Sequence, residues 1–333
     1  MKLRYFLATV LFLCIFCYGL IILITAMVDR ATTPPETNRV AIVTDVQEGK
    51  TATPHTISSK TDTTKNVSEA APEELQIQEQ EPVQESKILQ REGTPPSVEI
   101  IIIPQKPSQW GEATRGIVRR VNVESPANTK TLFLTINAYS FHQEDLIQEL
   151  INHKVKATFF VSGYYVRRNQ EAVKQIAANP LFDIENLGNR NRSLSVEGRS
   201  VYGIAGTTDR DDVMKEVADG AASIAAVTGK QVRYVRSATG YTDDVAVAVI
   251  NAAGNKVIGY QTVTDGGGTL SSEEIKNRIL QAENGSILVI SINPNRPSIL
   301  QGLKAALEEI KAKKLPLRFE KLIDHESAFE IIR

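Results

Sequence analysis

Val155-Lys156-Ala157-Thr158-Phe159-Phe160-Val161-Ser162-Gly163 is the stretch that decides the fold. Its centre is a short apolar run rich in aromatic and β-branched residues, and a Ser-Gly pair ends it, which reads as a strand. Working outward, 145–152 places Leu146, Ile147, Leu150 and Ile151 on one helical stripe, and 131–136 before it is another apolar strand. Downstream, helical patterns at 169–178, 211–227, 244–253, 272–282 and 299–313 are interleaved with strands at 232–235, 256–261 and 286–292. Alternation over this length predicts an α/β domain with parallel strands, open or closed into a barrel. Upstream, 98–103 and 117–123 read as strands of an N-terminal addition to that domain, the second leading to a turn at 125–128.

The other end of the chain has a different composition. Residues 6–27 are 22 residues without a charge, long enough as a helix to cross a hydrocarbon core about 30 Å thick. Lys2 and Arg4 precede this run, so the positive-inside rule places the N-terminus in the cytoplasm and the remainder outside. The apolar length favours an uncleaved anchor over a cleaved signal peptide. From 31 to 96 the chain is rich in Thr, Glu, Gln, Ser and Pro and has no aromatic residue, a composition that cannot offset the entropy of ordering. As a coil its 66 residues would span about 45 Å on average. Val40 to Val43 interrupts it with a short apolar piece. The expected organisation is therefore 1–30 cytoplasmic stub and anchor, 31–96 disordered linker, 97–129 strand extension and 130–333 main α/β domain. Both cysteines, Cys14 and Cys17, fall inside the apolar run, so no disulfide or thiolate metal site is available outside it. A net charge of −1 provides no basic footprint for nucleic acid.

From 118 to 323 the sequence resembles the NodB-homology polysaccharide deacetylases, carbohydrate esterase family four. The stretch 155–163 is similar to that family's ATFFV-x-G strand, 228–236 to the approach to its R-x-P-x-G motif, and 285–290 to its GSIxLL strand. The resemblance implies a distorted (β/α) barrel with its site at the carboxyl ends of the strands. It also implies a site held by a divalent metal such as zinc. Here the motifs depart from the family. Thr135-Ile136-Asn137-Ala138-Tyr139 stands in place of Thr-Phe-Asp-Asp-Gly, which puts Asn137 at the base position and Ala138 at a metal-ligand position. Leu187 and Asn191 occupy the positions of two histidine ligands, and Ser291 that of the acid histidine. Arg236, which orients the base in the family, is retained.

An amide takes up no proton as a base, and alanine and leucine donate nothing to a metal. The expectation is a pseudoenzyme: no catalytic set intact, no metal, no cofactor. Its cleft candidates are Asn137, Tyr139, Arg190, Asn191, Arg236, Tyr241 and Asp265. The arginines among them, with Arg192, imply a carboxylated or acylated glycan or an acidic protein loop as ligand. The plain alternative is that these side chains merely satisfy one another. Expected partners are the membrane, through 6–27, and an envelope polysaccharide or envelope protein, on the periplasmic or cell-wall side. The competing expectation is an active carbohydrate N-acetyl deacetylase with an unconventional site. Of the four histidines, only His142 lies in a loop near the cleft.

Overall fold

The computed structural model describes residues 41–43, 100–124 and 129–333. The expected anchor at 6–27, the linker apart from its short apolar piece, and the turn at 125–128 lie outside these residues. No helix among the described residues is long and apolar enough to cross a membrane. Two short strands, β1 (Ala41–Val43) and β2 (Ile100–Ile102), precede the compact unit 102–333 that carries the site.

That unit is built on one parallel sheet. Its strands are β5 (Lys130–Ala138), β6 (Ala157–Val161), β7 (Phe182–Asn186), β8 (Tyr234–Val235), β10 (Lys256–Val257), β11 (Thr262–Val263), β12 (Ile287–Ser291) and β13 (Leu317–Phe319). They lie in the order β10-β8-β7-β6-β5-β12-β11, with β13 also on β5. The helices α1 (Glu144–Asn152), α2 (Gly163–Arg168), α3 (Gln170–Ala178), α4 (Arg210–Thr228), α5 (Asp244–Ala252), α6 (Ser272–Gln281) and α7 (Pro297–Ala312) connect them. Two antiparallel pairs flank the sheet: β3 (Trp110–Gly111) with β9 (Thr242–Asp243), and β4 (Val118–Val121) with β14 (Phe329–Ile331).

Of the open and closed forms left by the sequence, the sheet takes a curled half-barrel. Its edges β10 and β11 are the two ends of one run, separated only by residues 258–261. Ile258 still donates to the Val235 carbonyl on one side, and Gln261 donates to the Ile287 carbonyl on the other. Between them Gly259 turns its N–H to Val118, so the run crosses from edge to edge without forming a ladder. This is also why the single strand expected at 256–261 is split into two short ones.

Side chains alternate strictly across the sheet, as the period of two requires. Leu132, Leu134, Ile136 and Ala138 of β5 pack on the helix side with Leu146, Leu150, Phe159, Ile184 and Leu303. Phe133 faces the inside of the curl with Phe160, Leu187, Tyr234, Ile287 and Val289. Fully burying each such Leu, Ile or Phe contributes about 1.5–3 kcal/mol. Strand β7 has no counterpart in the sequence reading, because Asp183 and Glu185 interrupt its apolar pattern. Glu185 is nonetheless buried, accepting the N–H groups of Tyr234 at 2.8 Å and Arg233 at 2.9 Å, which ties β7 to β8. Burial pushes its carboxyl pKa up to about 8 against those two bonds.

Candidate functional site

The inward positions at the carboxyl ends of the strands are Asn137 on β5, Ser291 on β12, and Leu187 and Arg236 just beyond β7 and β8. Arg236 organises this end of the curl. It is 1% exposed, and its guanidinium donates to Thr135 Oγ1 at 2.7 Å, Asn137 Oδ1 at 3.0 Å and the carbonyls of Ile258 at 3.1 Å and Gly259 at 2.8 Å. Its guanidinium carbon also lies 4.0 Å from the centre of the Phe160 ring. Every one of these partners is neutral. Burial accordingly lowers its pKa to about 9, with only the phenols of Tyr260 and Tyr139 acting against the shift. The expectation that Arg236 lines an open mouth and grips an acidic ligand is therefore corrected: it lies beneath the cleft with its donors engaged.

Above it, Asn137 Nδ2 donates to the hydroxyl oxygen of half-buried Tyr139 at 2.9 Å. Burial raises the Tyr139 phenol, the hydrogen bonds to Asn137 and Ser291 lower it, and the charge of Asp265 raises it further. Asp265 is held by the turn that follows it, in which Gly266, Gly267 and Gly268 all take positive φ, a region open to glycine. Its Oδ1 accepts from Gly267 N at 3.0 Å and its Oδ2 from Ser291 N at 2.7 Å. Burial raises its pKa, and the bonds from Ser291 and Gly267 oppose this. Asn191, at φ +61°, donates from Nδ2 to the Tyr139 carbonyl at 3.3 Å. Its Oδ1 is buried and has no partner among the described residues. The cleft thus brings together Asn137, Tyr139, Asn191, Asp265 and Ser291.

A divalent metal does not fit this set. Ala138 faces the helix side, fully buried, and Leu187 is fully buried inside the curl, so two of the three positions at which the resemblance implies ligands are apolar and lie on opposite faces of the sheet. The third is an amide. Among the described residues no three His, Cys, Asp or Glu side chains come together as a metal site would require.

The remaining candidates divide. Arg190 is exposed and its backbone N–H is held by Glu216. Arg192 is a clamp, bonded to Asp212 at 2.8 Å and to the carbonyls of Ala205 and Gly206. His142 bridges Tyr165 and Glu144 at 3.0 Å each, on the wall of a separate cavity of about 440 Å³ with Pro294, Pro297 and Leu300. Asp243 caps α5, accepting from Ala246 N at 2.7 Å. Its neighbour Asp244 instead reaches back to Ser108, accepting its N–H at 2.9 Å, and accepts the N–H of Gln109 at 3.2 Å.

Tyr241 is half-buried, with its ring centre 5.8 Å from Trp110 and 5.9 Å from Tyr202. Sequence reasoning missed Trp110 and Tyr202. Trp110 is the chain's only tryptophan, which was the available signal, but nothing local joins it to Tyr202 and Tyr241 far along the chain.

Residues 124–258 match the family model described as Polysaccharide deacetylase. No curated protein matches the chain. Among solved structures, a peptidoglycan N-acetylglucosamine deacetylase is 17% identical, with 66% of this chain and 96% of that one covered at a TM-score of 0.53. A mutant of a carbohydrate esterase family 4 pseudoenzyme from Bacillus anthracis is 18% identical, covering 64% and 71% at 0.51. A family 4 carbohydrate esterase from Bacillus subtilis is 16% identical, covering 64% and 85% at 0.50. These likenesses show the fold. The chain spans 66% of the length of the wild-type pseudoenzyme.

Proposed function

From the premise that residues 124–258 form a polysaccharide-deacetylase domain, we propose that the chain is a membrane-anchored, extracytoplasmic pseudoenzyme that holds an envelope glycan without hydrolysing it. The observation that carries this is the packing of the former ligand positions: Ala138 and Leu187 are closed into apolar clusters, and the base position is an amide engaged by Arg236. A general base contributes about 10²–10⁴-fold, and a bound metal supplies the nucleophile itself. With both gone, what the strand ends still offer is a set of hydroxyl and amide groups that can hold a ligand. These groups are neutral apart from Asp265, so a hydroxyl-rich glycan suits them better than the acidic ligand inferred from the arginines. The apolar run at 6–27, preceded by Lys2 and Arg4, supports the anchor, and the composition of 31–96 supports a tether. An envelope protein is the other class of occupant this cleft would accept.

The second reading, an active deacetylase with a non-standard site, is favoured by one observation. Asp265, its pKa raised by burial, is hydrogen-bonded to Ser291 and adjoins Tyr139. One experiment separates the two. The full-length chain in detergent is mixed with insoluble cell-wall glycan, and sedimentation and acetate release are both measured, with Asp265→Asn alongside. The pseudoenzyme should co-sediment and release no acetate above the Asp265→Asn background. Release that Asp265→Asn abolishes establishes the second reading, and failure to sediment refutes glycan binding. Recovery of the chain in the washed membrane fraction, with its domain cleaved by protease added outside intact cells, tests the anchor.

A further inference from the structure

We infer that Trp110, Tyr241 and Tyr202 form a sugar-stacking platform on the rim of the cleft, taking the apolar face of one pyranose while its neighbour in the glycan chain reaches Asn137, Tyr139 and Asn191. The inference rests on the glycan-binding reading above and adds to it a subsite, three residues and a ligand geometry. Trp110 lies before the residues that match the family model, so that match does not supply the tryptophan.

Three features of the structure converge on it. The first is the effort spent in placing Trp110. Strand β3 pairs with β9, setting Trp110 opposite Asp243, and the Asp244 carboxylate at the start of α5 accepts from the Ser108 N–H, the Ser108 hydroxyl and the Gln109 N–H. The extension is stapled to the domain immediately beside its tryptophan. The second is the tip of the loop after β7. Val201 and Ile204 exchange backbone hydrogen bonds at 3.1 and 2.9 Å around Tyr202 at φ +56° and Gly203 at φ +75°. A turn with both central residues at positive φ asks for Asn-Gly or Gly-Gly, yet the first position holds a tyrosine that is 73% exposed. A bulky side chain held in the left-handed region is strained, and strain of this kind clusters where a side chain must be presented.

The third is the stack itself. The Tyr202 ring stands edge-on to Tyr241 at 5.9 Å, Tyr241 is tilted against Trp110 at 5.8 Å, and the Arg199 guanidinium lies 5.7 Å from the Trp110 ring centre. Tyr241 lies in the loop that begins at Arg236, and its carbonyl accepts the Ser237 hydroxyl at 2.7 Å and the N–H of Leu194, in the loop that carries Asn191, at 3.3 Å, so the platform adjoins the cleft. Aromatic rings at a rim, with uncharged hydroxyl and amide groups beside them, match a pyranose, which has one C–H face and an edge of hydroxyls. The buried Asn191 Oδ1 has no partner among the described residues, and a ligand O–H or N–H reaching it would satisfy it.

The test uses the chain's single tryptophan as reporter. The full-length chain in detergent is titrated with the β-1,4 hexamer of N-acetylglucosamine and with cellohexaose, following Trp110 emission, with calorimetry as a second readout. At least one sugar should give a saturable emission change. Tyr202→Gly and Tyr241→Ala should each weaken binding by about fivefold or more, as truncated aromatic anchors do. Tyr202→Phe should bind within about twofold of the parent, because stacking needs the ring and not the hydroxyl.

Glycine also relieves the positive φ, so Tyr202→Gly should melt at or above the parent temperature while binding worse, which a merely structural tyrosine would not do. Undiminished binding by Tyr202→Gly and Tyr241→Ala overturns the platform. If wild type still sediments with wall glycan in that case, the glycan reading survives alone. No emission or calorimetric response to either sugar overturns the platform as well, and absent sedimentation then removes the glycan reading with it.

Discussion

Asn137→Asp should stabilise this protein, although it places a charge at a position only 4% exposed. Arg236 is a buried cation whose partners, Thr135, Asn137 and two carbonyls, are all neutral, and no carboxylate is among the groups that shift its pKa. Asn137 Oδ1 is already 3.0 Å from Nη1, so a carboxylate of the same shape inherits that bond and accepts the Tyr139 hydroxyl in place of donating to it. Two unit charges about 4 Å apart attract by about 4 kcal/mol at an effective dielectric of about 20. Desolvating the new carboxylate offsets part of this, while the arginine is desolvated in both proteins, leaving a net gain of roughly 1–2 kcal/mol. At about 2–4 °C per kcal/mol for a domain of this size, the melting temperature should rise by roughly 2–8 °C at pH 7.

The pH dependence follows from linkage. The carboxyl pKa is depressed in the fold below its unfolded value of about 3.9, so the gain is fully present above that pH and lost as pH falls through the folded value. Melting curves of both proteins at pH 7 and at pH 3 provide the assay. Destabilisation at pH 7, or a gain of equal size after the carboxyl has been protonated, would show that Arg236 already has its counter-charge and refute the reasoning.

Arg236→Met should cost about 3–5 kcal/mol in urea unfolding, because it leaves two carbonyls, an amide oxygen and a threonine hydroxyl buried without their donor; a loss below about 1 kcal/mol would mean that these groups find other partners. Glu185, raised by burial to about 8 from its ordinary 4.5, holds its proton in the fold across the intervening pH range. A raised acid destabilises the fold progressively as pH climbs from the unfolded to the folded pKa, by up to roughly 1.4 kcal/mol per pH unit. Glu185→Gln should therefore flatten the decline in unfolding free energy between about pH 5 and pH 8, and an unchanged slope would show that Glu185 is ionised in the fold.

Much of the fold was legible because buried parallel strands and amphipathic helices write their own patterns. The Leu146, Ile147, Leu150 and Ile151 stripe became α1, and the Ala157-to-Val161 run became β6, the strand between β5 and β7. Helices expected at 211–227, 244–253 and 272–282 differ from α4, α5 and α6 by a residue at either end or less. The acidic β7 was missed, and so were β3, β9 and β14, whose two- and three-residue pairings depend on partners far along the chain.

By itself, the sequence determined that the domain is α/β with parallel strands, which follows from residue identity and local period and needs no neighbour in space. That Ala138, Leu187 and Asn191 stand where a metal's ligands would be is what the resemblance of the motifs implies. Only the tertiary structure decided that Arg236 lies beneath the cleft, that Ala138 and Leu187 face opposite sides of the sheet, and that Tyr241 meets both Trp110 and Tyr202. Those outcomes depend on which face of each strand turns inward and on which distant loops the curl brings together. Contacts between residues more than a hundred positions apart are fixed by packing and register, on which local pattern is silent.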